Sequence, residues 1–170
     1  QQTVTSEIDQ IDKNYSKTLD AIKELNLQAI IIFGNSDAGS KKIINLIKNS
    51  KIKQFRTVSY GDYINLLRYS SALVGNSSSG IIEAPFLKIP SVNIGTRQTG
   101  RTRSKSVLDV GYDKSQIIKA ILKSLNDKKF LKKIKNTKNL YGDGNAAKKI
   151  VKILEDIDIN KISIQKRLMY

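Results

Sequence analysis

The sequence predicts an α/β fold, a parallel sheet covered by helices. Three observations carry the prediction. Short apolar runs alternate with stretches whose apolar residues recur at helical spacing. The chain has 170 residues, enough for one domain over 1–170 with a real core. Polar loops rich in Gly, Ser, Asn and Arg follow the strand-like runs, over 34–40, 75–80 and 95–105. Strands alternating with helices imply parallel crossovers, and ligands bind such sheets beyond the carboxyl ends of the strands. The three loops should therefore gather on one edge.

The elements follow in order. Tyr15, Leu19, Ile22 and Leu25 predict a helix over 11–26. The β-branched run within 28–33 predicts a strand buried on both faces. Ser40 is placed to cap a helix to about 50, with Ile43, Ile44 and Ile47 inward. A second, more polar strand is expected over 52–59, and Asp62 as the cap of a helix carrying Ile64, Leu66, Leu67 and Tyr69. A strand over 72–74 enters the serine turn, and a short helix runs to about Leu87. Strands are expected over 91–94 and 107–110, where Asp109 should brace a loop. Tyr60 and Tyr63 read as core or cleft wall. Beyond 110 the pattern is helical. Ile117, Ile118, Ile121, Leu122 and Leu125 form one stripe, and Phe130, Leu131 and Ile134 another. After Gly142-Asp-Gly144, Asn145 should cap a helix with Ala146, Ala147, Ile150, Val151, Leu154 and Ile157 inward. The tail over 155–170 is expected to pack on something outside these residues.

Composition removes several chemistries. Without Cys there is no disulfide framework or thiolate metal site, and without His no Ser-His-Asp triad and no histidine zinc site. No apolar run reaches spanning length and no secretory leader opens the sequence, so a cytoplasmic location is expected, without membrane contact. Lys and Arg number 30 against 15 Asp and Glu, a formal charge of +15. The lysines scatter over polar helix faces and the aromatics show no stacking pattern, so nucleic acid is not the expected partner.

The stretch Gly75-Asn-Ser-Ser-Ser-Gly-Ile-Ile-Glu-Ala-Pro85 carries the most chemistry. A strand, a hydroxyl-rich turn and a helix start together favour a phosphate, through amide N–H groups and the macrodipole. Ser77, Ser78 and Ser79 add hydroxyl donors, and Gly80 permits close approach. Glu83, one turn into the helix, could accept from ribose hydroxyls. Arg97 and Arg101 follow on a Gly-flanked loop. Asn35 and Asp37 read either as ligand-facing or as an Asx turn.

These residues, with Asn93-Ile-Gly-Thr-Arg-Gln-Thr-Gly-Arg101, resemble the UDP-N-acetylglucosamine 2-epimerases, in particular the hydrolysing branch that feeds sialic acid synthesis. Asn35-Ser-Asp-Ala-Gly-Ser40, Ser106-Val-Leu-Asp-Val110 and Tyr141-Gly-Asp-Gly-Asn-Ala-Ala147 agree in order and spacing. The resemblance covers essentially the whole chain and corresponds to the second of the family's two domains. It implies a Rossmann-like sheet, the C-terminal half of a GT-B-type fold, with the nucleotide sugar held against a first Rossmann-like domain that these residues do not contain. It implies UDP or a UDP-N-acetylhexosamine as ligand. Ser77, Ser78, Ser79 and Gly80 would hold the diphosphate, Glu83 the ribose and Arg97 the phosphate charge. Asn35 would line the site, and Val58 would mark the strand end facing uracil. The implied reaction removes the C2 proton while UDP leaves C1, then adds water to release N-acetylmannosamine. Its carboxylate acids and bases belong largely to the first domain, so no catalytic residue is assigned here. No metal or cofactor is expected, and a homodimer is a common family assembly.

Two departures stand out. Gln2 occupies roughly the place of a family histidine and cannot shuttle a proton at neutral pH, and Gly34 replaces a common proline before Asn35. The chain alone is therefore expected to be inactive. A GT-B glycosyltransferase donor-binding domain and a catalytically inactive UDP-sugar-binding module are the alternatives.

Overall fold

A computed structural model describes residues 1–162 and 165. The chain divides into two compact units, Gln1–Leu140 and Tyr141–Tyr170. In the first unit a 3-10 segment, Thr5–Gln10, leads into α1 (Ile11–Glu24), followed by β1 (Ile30–Ile32), α2 (Ser40–Asn49) and β2 (Lys53–Phe55). Next come α3 (Tyr60–Tyr69), β3 (Leu73–Gly75), a 3-10 turn (Ser78–Gly80), α4 (Glu83–Phe86) and β4 (Ser91–Ile94). The unit closes with β5 (Val107–Val110), α5 (Lys114–Asn126) and α6 (Lys128–Lys135).

Every strand pair is parallel, but the strands form two sheets, β1-β2 and β3-β4-β5. One helix serves both. Ala21 of α1 joins Val92, Ile94, Ile117, Ala120 and Ile121 in one core. Ile11, Tyr15 and Leu19 of the same helix join Ile43 and Ile47 of α2 in the other, against Ile31 and Phe33. At the carboxyl ends of β1 and β3, the Gln2 side chain lies against Gly34 and the Gln1 backbone against Gly75.

The split sheet explains a correction. The strand over 28–33 was expected to be buried on both faces, yet Ile30 is 44% exposed. Its strand pairs with β2 alone, so it lies at a sheet edge. The second strand also stops early, at Phe55.

Two caps differ from expectation. The N-cap of α2 is Gly39, with Ser40 already helical. Ser59 caps α3: its Oγ accepts from the Asp62 amide at 3.1 Å and donates to Asp62 Oδ2 at 2.7 Å. Asp62 is thus the third helical residue, bonded twice to the Ser59 hydroxyl, and not the cap itself. In α3 only Leu67 is buried; Leu66 and Tyr69 face solvent, as does Tyr60 at 72% exposure, which removes it from the core. Asp113 and Asp127 cap α5 and α6 through the amides of Gln116 and Phe130.

The second unit contains α7 (Ala146–Asp156) and a 3-10 turn, Ile159–Lys161. Asn145 stands at the N-cap of α7 without a side-chain cap bond. Its apolar face is not inward: Ile150, Val151, Leu154 and Ile157 are all exposed. The described residues of this unit hold no second apolar element long enough to cover it. Of the tail over 155–170, residues 163, 164 and 166–170 lie outside the described residues. No helix among the described residues is long and apolar enough to cross a membrane.

Candidate functional site

The site is organised by Asn76, the residue after β3, whose side chain is fully buried. Its Oδ1 accepts from the Gln2 amide at 2.6 Å and its Nδ2 donates to the Gln2 carbonyl at 2.8 Å. The amide side chain thus acts as a piece of strand, satisfying backbone groups that a β-ladder would otherwise pair. The Asn76 carbonyl accepts from Gln98 Nε2 at 2.8 Å and from Arg97 Nη1 at 3.3 Å. On the other side Asn35 Nδ2 donates to Gln2 Oε1 at 3.4 Å. One hydrogen-bonded path therefore joins Asn35, Gln2, Asn76 and Arg97, bringing the loops after β1, β3 and β4 together at the carboxyl edge.

The serine turn itself differs from the sequence reading. The helix following it has four residues, and Glu83 is its first residue rather than one turn inside. A helix that short contributes little dipole. Three of the turn's amides are already engaged: Ser79 N–H with Ser77 Oγ, Gly80 N–H with the Ser77 carbonyl, and Ile81 N–H with the Ser78 carbonyl. Ser77 and Ser78 are half-buried, whereas Ser79 points inward and accepts from the Tyr63 hydroxyl at 2.5 Å. Gly80 is needed for packing. A Cβ there would stand 2.5 Å from Ser91 Oγ of β4, so the close approach is to the sheet and leaves ligand access as a separate matter.

Beside this turn, Glu83 Oε2 is buried and has no hydrogen-bond partner among the described residues. Native structures rarely leave a buried polar atom unpaired, and a carboxylate oxygen least of all. Nearby, burial raises the Tyr63 phenol pKa, the Glu83 charge adds to the rise, and the Ser79 hydrogen bond opposes it. Val58 lies in an open groove of about 410 Å³, with Phe55, Asp62, Asn65, Leu66 and Tyr69.

The loop carrying Arg97 is tied at several points. Arg101 Nη1 donates to Gln98 Oε1 at 3.0 Å, and Arg103 bonds the Gln98 carbonyl at 2.5 Å and pairs with Asp109. Asp109 also accepts from Asn93 Nδ2 at 2.7 Å, which makes it the loop brace expected of it. Arg101 and Arg103 are thus engaged within the loop. Sequence reasoning missed Asn76 and Gln98. Asn76 sat inside the motif already singled out, but nothing in one sequence tells a buried structural amide from a ligand-facing one.

The sequence profile described as UDP-N-acetylglucosamine 2-epimerase matches residues 4–155. The chain belongs to that family. The polysialic acid biosynthesis protein P7 of Escherichia coli is 39% identical over 131 residues, 75% of this chain and 33% of that protein. The UDP-N,N'-diacetylbacillosamine 2-epimerase (hydrolyzing) of Legionella pneumophila is 30% identical over 96% of this chain and 43% of its own length. The Methanocaldococcus jannaschii UDP-GlcNAc 2-epimerase, solved in complex with UDP-GlcNAc and UDP, superimposes with a TM-score of 0.69 at 25% identity. That superposition covers 88% of this chain and 42% of the solved one. The fold matches about two-fifths of a GT-B-type UDP-N-acetylglucosamine 2-epimerase, and the chain spans less than half the length of these relatives.

Proposed function

We propose that these residues form the UDP-sugar-binding half of a hydrolysing UDP-N-acetylglucosamine 2-epimerase. The observation that carries the reading is Glu83. A buried carboxylate oxygen lacking a donor stands beside a serine turn, and the Asn76 network ties that turn to Arg97 and Asn35. Ribose hydroxyls are donors that fit such a carboxylate once the half-buried side chain turns the oxygen toward them. Ser77 and Ser78 supply hydroxyls for the diphosphate, Ser79 and Gly80 shape the turn behind them, and Arg97 supplies positive charge. Val58 marks the groove for the uracil.

In this role the half stabilises departing UDP as the C2 proton is removed. A guanidinium and hydroxyl donors beside the phosphates would favour the charge that develops on the leaving group. The proton chemistry and the addition of water then fall to carboxylates of a first domain outside these residues, and the chain alone does not turn over. The name of the Legionella pneumophila relative, a hydrolysing 2-epimerase, supports the reaction class.

One observation favours a second reading, a UDP-sugar-binding half without catalysis. Gln2 is consumed structurally, its backbone by Asn76 and its side chain by Asn35, and it carries no titratable proton. Isothermal calorimetry with UDP tests the binding role: heat should be seen, and Glu83→Ala or Arg97→Ala should reduce affinity. No heat at millimolar UDP would overturn it. Supplying a first domain and assaying free N-acetylmannosamine separates catalysis from binding alone.

A further inference from the structure

Glu7 lies 89 and 105 residues from its two side-chain partners. One carboxylate oxygen accepts from the Thr96 hydroxyl, the other from the Tyr112 hydroxyl at 2.5 Å. Two hydroxyls, one from the loop after β4 and one from the residues after β5, thus meet on a single carboxylate. The Tyr112 ring stacks so tightly on Gly95 that a Cβ there would stand 2.1 Å from the phenol oxygen. Gly95 has φ +78°, which suits glycine, and its amide bonds the Val110 carbonyl at the end of β5. Gly95 and Thr96 are therefore held by the sheet, the phenol and the carboxylate together. On the far side of Arg97, Gln98 is held by the Asn76 carbonyl. Arg97 is thus pinned from both neighbours, and Glu7 supplies the charge at one of the two pins.

We propose that Glu7 is a positioning residue for the anion site: by gripping Thr96 and Tyr112 it sets the backbone from which Arg97 projects. The proposal rests on the UDP-binding reading of the serine turn. Charge-assisted hydrogen bonds from two hydroxyls are strong enough to hold a loop start, and their removal frees the residue before Arg97 without touching ligand. The consequence is coupling. Glu7 acts on UDP only through Arg97, so the two substitutions must not multiply.

The experiment measures UDP affinity by calorimetry for wild type, Glu7→Ala, Arg97→Ala and the double variant. Arg97→Ala should weaken UDP about 30-fold, the size of one lost charge-assisted contact, and Glu7→Ala about fivefold. The double variant should bind as Arg97→Ala does. Multiplying losses, or a Glu7→Ala affinity equal to wild type, would overturn the proposal. Amide hydrogen exchange over 95–101 reads the positioning independently of any ligand. Glu7→Ala should exchange there at least tenfold faster, while the serine turn keeps its protection. Unchanged exchange overturns the positioning role even if UDP fails to bind wild type, an outcome that would sink the binding reading instead. Tyr112→Phe removes one arm while keeping the ring on Gly95. It should reproduce the exchange effect in smaller measure, and guards against Glu7→Ala failing to fold.

Discussion

Replacing Glu83 with methionine should make the free protein more stable and a worse UDP binder. Oε2 has less than 1 Å² exposed and no partner among the described residues, so folding takes a charged acceptor from water without compensation. A buried unsatisfied group costs about 1–3 kcal/mol, and the side chain as a whole is only half-buried, so the lower end applies, about 1 kcal/mol. Methionine keeps the unbranched shape and removes the charge. For a domain of this size m is about 2 kcal/mol/M in urea, and the midpoint should rise by about 0.5 M at unchanged m. Affinity should move oppositely. Two charge-assisted bonds to ribose are worth about 3 kcal/mol together, so Kd should rise about 150-fold. Urea titration with and without saturating UDP reads both effects, because ligand stabilisation follows RT ln(1 + [L]/Kd). A free protein destabilised by more than about 1 kcal/mol would mean that the carboxylate holds the fold rather than waiting for a donor. Unchanged UDP affinity would refute the ribose assignment.

Two other predictions concern packing and pH. Gly80→Ala should cost about 1–3 kcal/mol, because its Cβ meets Ser91 Oγ at 2.5 Å, and adding Ser91→Ala should recover most of that loss, since the Ser91 Cβ lies at an ordinary 3.6 Å; additive losses in urea titrations would refute the contact. Tyr112 is pushed up to about 12 by burial first, then by the hydrogen bond and charge of Glu7. A folded value above the unfolded one of about 10 means the stabilisation is whole below pH 10 and is lost as pH climbs through 12. Tyr112→Phe should therefore lose less Tm than wild type between about pH 9.5 and 11.5, with Tyr15 and Tyr63 contributing equally to both proteins; equal losses would exclude the Glu7–Tyr112 bond.

The elements were legible because their signals are local. Helical periodicity placed α1 within a few residues of its bounds and located α5 by its apolar stripe, and the parallel sense of the strand pairs followed from alternation alone. Caps were harder. Ser40 and Asp62 are acceptable cap residues by type, but each stands inside its helix, and the first turn of backbone decides that. Burial of Ile30 was misread because a run of isoleucines looks the same at a sheet edge as in its centre. The apolar side of α7 was misread for a related reason, since periodicity shows that a face exists and says nothing of what covers it.

In the site, residue types pointed to phosphate and ribose chemistry, and the motif order pointed to the epimerase family. Local sequence therefore determined the alternation of elements, the loops at the carboxyl edge and the set of donors and acceptors available there. Only the tertiary structure decided their use. It turned Ser79 inward to Tyr63, set Gly80 against Ser91, made Asn76 a surrogate strand for Gln2 and left Glu83 Oε2 without a donor. It also joined Glu7 to Thr96 and Tyr112 across some hundred residues. The physical reason is range. Periodicity and turn chemistry act over a few bonds of chain, whereas a hydrogen bond between distant residues exists only once packing has brought them within about 3 Å.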